Sequence, residues 1–485
     1  MSILTASETT SPRIQTPPQG HPRRWLILAL ILAVECMDLL DGTIVSVAAP
    51  SIRADLGASL SALQWIAGGY ALTFAIGLVT GGRLGDIFGR RRLFLLGLAG
   101  FTAASALCGA ANSPETLIAL RVVQGVFAAI MIPQGFGILR QVFPPDEIQK
   151  AFGLFGPVIG LSAVLGPILG GALTDGDLFG LGWRAIFLVN VPIGLIALFG
   201  SAKLLPESKA NDKPSLDLGG AALVTLAMGL LVYPLIEARP AREAGWPAWT
   251  FVSIGASALA LVAFVVHERR REREKKSPLV TMSLFRKRAF SAGLASALVF
   301  FAGMIGLMLT FSLYLQLGQG FSAIHTGLTL IPWSLGTAVG AGLGAGLLGP
   351  RFGRPTLHAG LAVMLLGVLG LLLVSHDGAS SWAFVGPELV AGVGMGAMLA
   401  PLFDFVLAGV DDDEVGSASG VLNAMQQLGG ALGIAVIGTV FFSIAADGDF
   451  IDAFHGTLWI EAGVLVVTAG LVALLPRRAR EQSPH

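Results

Sequence analysis

Residues 25–50, WLILALILAVECMDLLDGTIVSVAAP, restrict what the chain can fold into more than any other stretch. A run of this length can cross a bilayer, because about 20 apolar residues at about 1.5 Å each cover a hydrocarbon core of about 30 Å. Yet Glu35, Asp38 and Asp41 lie in its middle. An acid at mid-membrane costs about 2.5–3.5 kcal/mol on insertion scales. At about 100° per residue, steps of three put these acids on one stripe within roughly 120° of arc. Lipid cannot solvate that stripe, so it must face a protein interior or a water-filled cavity. Intramembrane acids so placed usually belong to proton or substrate pathways. The rest of the chain reads as scaffolding for them.

That scaffold is apolar throughout: 54% of the residues are hydrophobic and 13% charged, where a soluble domain carries about 25% charged. Fourteen spans are predicted, at 25–49, 63–80, 93–111, 115–139, 152–173, 184–205, 217–237, 247–267, 289–316, 326–348, 356–374, 382–406, 418–442 and 457–475. The fold class expected is an all-α polytopic membrane protein. Residues 1–22 form a disordered tail, 23–205 a six-helix bundle, 206–280 a linker with two extra helices, 281–476 a second six-helix bundle, and 477–485 a second tail. The first apolar run is too long for a signal h-region and lacks a small-residue cleavage site, so it stays as a membrane helix.

Lysine and arginine fix the orientation. One side receives the tail arginines, Arg83, Arg90, Arg91 and Arg92, Arg140, Lys150, Lys203, Lys209, Lys213, the run HERRREREKK at 267–276, Arg286, Lys287, Arg288, Arg351, Arg354 and the C-terminal arginines. The other side keeps only Arg53, Arg184, Arg239 and Arg242, and Arg121 falls within span four. The positive-inside rule then makes both termini cytoplasmic in a cell membrane. Most tryptophans mark helix ends, as an aromatic belt does, whereas Trp333 lies well inside a span. The acidic DDDE at 411–414 does not bear on this rule, which counts Lys and Arg.

Two features concern function. GGRLGDIFGR (81–90) and GLLGPRFGR (346–354) echo each other 264 residues apart, the spacing of two six-helix repeats around a midplane site. Conversely, no GxxxxGK[ST], GxSxG or HExxH motif occurs, and Cys36 and Cys108 stand apart in apolar segments. Enzyme chemistry, a cofactor, a metal site and a nucleic-acid partner are not expected. A monomer in lipid, handling protons and a small molecule, is.

Four motifs resemble the major facilitator superfamily, and specifically its fourteen-helix drug:proton antiporter branch. GRLGDIFGRR (82–91) is similar to the signature GxLaDrxGrk, with Ile87 where a basic residue is usual. LIALRVVQGVFAA (117–129) is similar to LxxxRxxQGxgAA, with Phe127 replacing a small residue. GPILGG (166–171) resembles the end of the antiporter signature GxxxGPxxGG, with Ser162 at its first glycine. LDGTIVSVAAP (40–50) resembles LDxTIVNVALP, and 423–440 resembles the branch's thirteenth span.

The resemblance implies roles. Gly82, Asp86, Gly89, Arg90 and Arg91 would form a conformational gate, with Asp86 at the start of span three, capping its N-terminus and pairing with arginines; a topology anchor is the plainer alternative. Arg121 would take part in proton coupling. Physics independently demands an acid partner for so buried a charge, Asp41 or Asp38. Gly166, Pro167, Gly170 and Gly171 would mark an efflux antiporter, or simply let helices approach closely. Glu35, Asp38 and Asp41 can bind protons, cations or both. Tyr70, Gln124, Asn190, Trp333, Asn423, Gln426 and Gln427 are candidates to line a substrate cavity, or to bond between helices. Glu388 and Glu461 lie near outer helix ends, where a glutamate can snorkel; a transport role for either is the alternative. The function implied is proton-coupled export of small amphipathic compounds, drugs or antibiotics, by alternating access. An uptake symporter of the same fold and a membrane sensor are the alternatives.

Overall fold

Lipid offers a backbone no hydrogen-bond partners, so each apolar run closes its own bonds as a helix. The computed structural model describes residues 20–478 apart from 145–146, 208–215, 238–245, 275, 277, 408–409, 411–414 and 447. Most of both predicted tails, Lys209, Lys213, Lys275, Arg239, Arg242 and the acidic run at 411–414 lie outside these residues.

Fourteen long helical segments follow one another: α1 Arg24–Leu56, α2 Leu60–Phe88, α3 Arg90–Gly109, α4 Pro114–Val142, α5 Phe155–Asp175, α6 Gly182–Leu204, α7 Leu218–Glu237, α8 Ala248–Arg273, α9 Arg288–Gly318, α10 Ala323–Phe352, α11 Arg354–Val374, α12 Ser381–Leu407, α13 Val415–Ala445 and α14 Phe450–Val472. Among the described residues, twelve helices are long and apolar enough to cross a membrane; α1 and α5 are outside that set. For α1 the reason is its charge. Any eighteen-residue stretch of it holds at least three of Arg24, Glu35, Asp38, Asp41, Arg53 and Asp55.

Local chemistry sets the breaks. Ser59 and Ser113 accept from the backbone N–H groups of Ala62 and Thr116 and so start α2 and α4. The turn between α2 and α3 falls on Gly89, whose φ of 103° suits glycine alone. Its echo Gly353 (φ 66°) turns α10 into α11. Here the structure corrects one expectation. Asp86 lies in the last turn of α2 and does not cap α3, because nothing in GRLGDIF stops the helix before Gly89.

Packing repeats itself. In the first group α1 packs on α5 and α6, α2 on α4, and α3 on α4 and α6. In the second α9 packs on α13 and α14, α10 on α12, and α11 on α12 and α14. Each is the same pairing eight helices later. The groups meet along two seams, α2 with α13 and α5 with α10, which exchange under the same relation. The additional pair α7 and α8 packs on itself and sets α7 against α2 and α13.

Hydrogen bonds among the described residues join the two groups in the half of the molecule remote from the N-terminal end of α1. Gln64 Nε2 donates to the Ile434 carbonyl (2.9 Å), Gln316 Nε2 to the Val47 carbonyl (2.8 Å), Ser312 Oγ to the Ser46 carbonyl (3.2 Å), and the Ile324 N–H to Asp175 Oδ2 (2.7 Å). At that end the α5–α10 seam is backbone on backbone. A Cβ on Gly171 would lie 2.4 Å from Ile324 Cα, and one on Gly327 would lie 2.3 Å from the Pro167 carbonyl oxygen.

Candidate functional site

The acid stripe of α1 faces inward and does not stay isolated. Asp41 forms an ion pair with Arg121 from α4, both 1% exposed. Bringing two charges out of water is tolerable only when each is hydrogen-bonded as well as paired, and the neighbours meet that demand. Asp41 Oδ1 accepts from Gln124 Nε2 (3.0 Å) and from Asn190 Nδ2 (2.8 Å). Arg121 donates to Gln124 Oε1 (2.8 Å) and, through Nε, to the Ile66 carbonyl (3.1 Å). Ser105 Oγ on α3 accepts from Asn190 Nδ2 (3.0 Å) and donates to the Phe187 carbonyl (3.0 Å). Five helices, α1 to α4 and α6, thus close round one ion pair.

One turn before Asp41, Asp38 accepts a hydrogen bond from the Tyr70 hydroxyl. The Tyr70 ring lies under the Arg121 guanidinium, 4.2 Å from its centroid, a cation–π contact that ties the second acid to the first pair. A further turn back, Glu35 is half-buried. The stripe therefore steps from Glu35, a residue of intermediate exposure, through Asp38, to a sealed ion pair. Such an arrangement can hold, release and pass protons over one helix face.

Of the residues expected to line a substrate cavity, Tyr70, Gln124 and Asn190 belong to this sealed cluster instead, each at most 4% exposed. Tyr70, Gln124 and Asn190 donate to the acids, and Gln124 Oε1 accepts from Arg121. Trp333 is also buried, its indole N–H pointing to Met395 Sδ at 3.3 Å. Asn423, Gln426 and Gln427 on α13 remain partly exposed, and Gln426 donates to Asn423 Oδ1 (3.1 Å). Ser105 escaped sequence reasoning because nothing in the run TAASALCG distinguishes it from packing residues.

The basic loops do different work from a bond between the groups. Asp86 pairs with Arg90 (2.9 Å), and Arg90 Nη1 also donates to the Gly137 carbonyl (2.9 Å), all within the first group. Arg91 donates to the Ala202 carbonyl at the end of α6 (2.5 Å); Arg354 donates to the Ala473 and Leu475 carbonyls at the end of α14 (2.7 Å each). The two loops share one task, capping the last turn of the final helix of each group. Gly82 packs against the Pro133 ring. In α5, a Cβ on Gly166 would strike Thr43 Oγ1 at 2.1 Å and one on Gly170 would press on the Ile44 backbone at 3.2 Å, so these glycines admit α1; Gly171 and the Pro167 carbonyl meet α10.

The expectation that Glu388 and Glu461 snorkel is overturned. Both side chains are 0% exposed, and neither carboxyl oxygen of either has a hydrogen-bond partner among the described residues. Glu388 is the eighth residue of α12 and Glu461 the twelfth of α14, too deep for a side chain to reach the helix end. The structure also gathers Asp217, His267 and Glu268 at the junction of α7 and α8, with ligand-type atoms within 4.8 Å of one another. Arg271 already stands 3.0 Å from Asp217 Oδ2 and supplies positive charge there.

Two pseudo-repeated helical groups, the first closed round a buried, hydrogen-bonded ion pair, define a polytopic membrane carrier. The chain belongs to the Major Facilitator Superfamily, whose model matches residues 31–434, and is a multi-pass transporter, not an enzyme. It is 54% identical over 430 residues to the probable actinorhodin transporter of Streptomyces coelicolor, covering 88% of this chain and 74% of that one. It is 35% identical to the tetracenomycin C resistance and export protein of Streptomyces glaucescens, covering 89% and 79%. A solved structure of a bacterial homolog to the human lysosomal transporter Spinster, inward-facing and unoccupied, matches with a TM-score of 0.65 at 17% identity, over 93% of this chain and 96% of that one. That likeness concerns the fold.

Proposed function

We propose that the protein exports a small amphipathic antibiotic or drug by alternating access, driven by protons moving inward. The carrying observation is the graded acid stripe of α1, with Asp41 locked to Arg121 and Asp38 to Tyr70. The relatives named for actinorhodin transport and tetracenomycin C export support the direction and the substrate class. In the cycle, an acid of α1 takes a proton while facing outward, which releases the compound; return to the inward state gives the proton up and restores affinity. Each net charge moved through 100 mV contributes about 2.3 kcal/mol.

The same reading sets the rest of the plan. All fourteen helices span the cell membrane, α1 because its acids face protein and α5 because it packs on α1 and α10. Both termini are cytoplasmic, residues 23–205 and 281–476 form the two bundles, and one copy suffices. The bonds joining the groups then lie on the outer side, which supports an inward-facing state. Asn423, Gln426 and Gln427 contribute to the cavity open to the cytoplasm.

Proteoliposomes carrying a pH dye test this with actinorhodin, tetracenomycin C and a panel of cationic dyes. Compound-driven proton movement, lost in Asp41→Asn or Asp38→Asn and reduced in Glu35→Gln, is the expected result. Transport that leaves the internal pH unchanged, or coupling that survives all three substitutions, would sink the proton-coupled reading.

A further inference from the structure

Glu388 and Glu461 have no part in the cluster of the first group. Both lie in the second group, and both are buried without any hydrogen-bond partner among the described residues. Among the described residues no charged side chain acts on either; the Trp333 backbone faces Glu388, and burial alone acts on Glu461. The sites are built to hold them. At Glu461 the opposing helix α9 carries Gly303, where a Cβ would come within 2.3 Å of Glu461 Oε2. The carboxyl occupies the notch that the missing side chain leaves. At Glu388, α10 and α12 touch backbone to backbone: a Cβ on Gly336 would lie 2.4 Å from the Leu389 carbonyl oxygen, and one on Gly392 2.1 Å from that of Trp333.

An unpaired carboxylate in such surroundings bears the whole cost of a buried charge, whereas a neutral acid forgoes only its hydrogen bonds. Depth adds meaning. Glu388 is the eighth residue of α12 as Arg121 is the eighth of α4, and the two helices occupy equivalent places in the repeated packing. Where the first group sets a permanent cation, the second sets a removable proton.

We propose that Glu388 and Glu461 are two further proton-binding sites, each carried as the neutral acid and each releasing its proton when its pocket hydrates during the transport cycle. The chemistry is reversible O–H dissociation, the proton passing to water on the side to which the pocket opens. The transport role rests on the proton-coupled reading above; the neutral state does not.

Infrared difference spectra of the purified protein at neutral pH separate these parts. Carbonyl bands of two buried carboxylic acids are expected, one lost in Glu388→Gln, the other in Glu461→Gln, and both retained in Asp41→Asn. Gly303→Ala, which presses on Oε2, should shift the Glu461 band and stands in should Glu461→Gln not fold. Absence of both bands overturns the proposal. In proteoliposomes each glutamine variant should lower the number of protons moved per compound. Bands that are present but fail to exchange in D2O during turnover, together with an unchanged proton count, overturn the transport role. If wild-type protein moves compound without protons, the coupled reading fails while the infrared result stands.

Discussion

The two helical groups repeat each other's packing but treat buried charge in opposite ways. In the first, Asp41 pairs with Arg121, and Gln124, Asn190 and the Ile66 carbonyl hydrogen-bond to the pair. In the second, Glu388 and Glu461 are buried with no side chain among the described residues hydrogen-bonding to them. One fold therefore supports two solutions to the same cost: surround the charge with partners, or forgo the charge. Arginine cannot take the second route, because it does not deprotonate in proteins. The group that holds Arg121 had to recruit side chains from five helices.

This contrast can be broken by substitution. The largest effect belongs to Arg121→Ala, which leaves Asp41 buried and unpaired; a loss of about 3–5 kcal/mol is expected in detergent unfolding. Glu461→Gln should change stability far less, and equal losses would erase the distinction. The seam between the groups comes next. Gly327→Val drives a side chain into the Pro167 carbonyl, an overpacking cost of about 1–3 kcal/mol, roughly 5- to 150-fold in a conformational equilibrium. A cysteine at Ser46 should then react faster with a membrane-impermeant maleimide added outside; unchanged labelling would show that the seam does not hold the outer side shut. Gln64→Ala removes a smaller clasp on Ile434 and Thr439, and should raise the same labelling by an amount set by about 1 kcal/mol.

The smallest effect lies at the surface. The hydrogen bonds and charge of Arg24 hold the Glu147 carboxyl below the usual glutamate range. Because the folded value is the lower one, the pair's contribution is present above the ordinary pKa of about 4.3 and fades as pH falls through the folded value. Glu147→Gln should lower the melting temperature slightly at neutral pH and leave it unchanged in acid. A constant difference across that range would assign the effect to packing.

Much of the fold was legible because period and length speak plainly in an apolar chain. Helices α1 to α14 begin and end near the runs read from sequence, and the Gly89 and Gly353 echo marks equivalent turns. The need of Arg121 for an acid followed from its permanent charge alone. What could not be read was which polar groups would meet. Asn190 was as plausible beside a cavity as beside Asp41, since its donors fit either. Glu388 and Glu461 were misjudged from nearness to helix ends: depth and burial depend on the facing helix, here the bare glycine at 303. Asp86 was misplaced by one helix because a charged loop motif gives no sign that α2 runs through it.

The α5–α10 seam has a mechanical corollary. Where Gly171 meets Ile324 and Gly327 meets Pro167, main chain rests on main chain. Parting such surfaces frees no rotamers, and rejoining them freezes none, so little side-chain entropy changes hands on either stroke. A seam of this sort would part and close with its side chains left as they were.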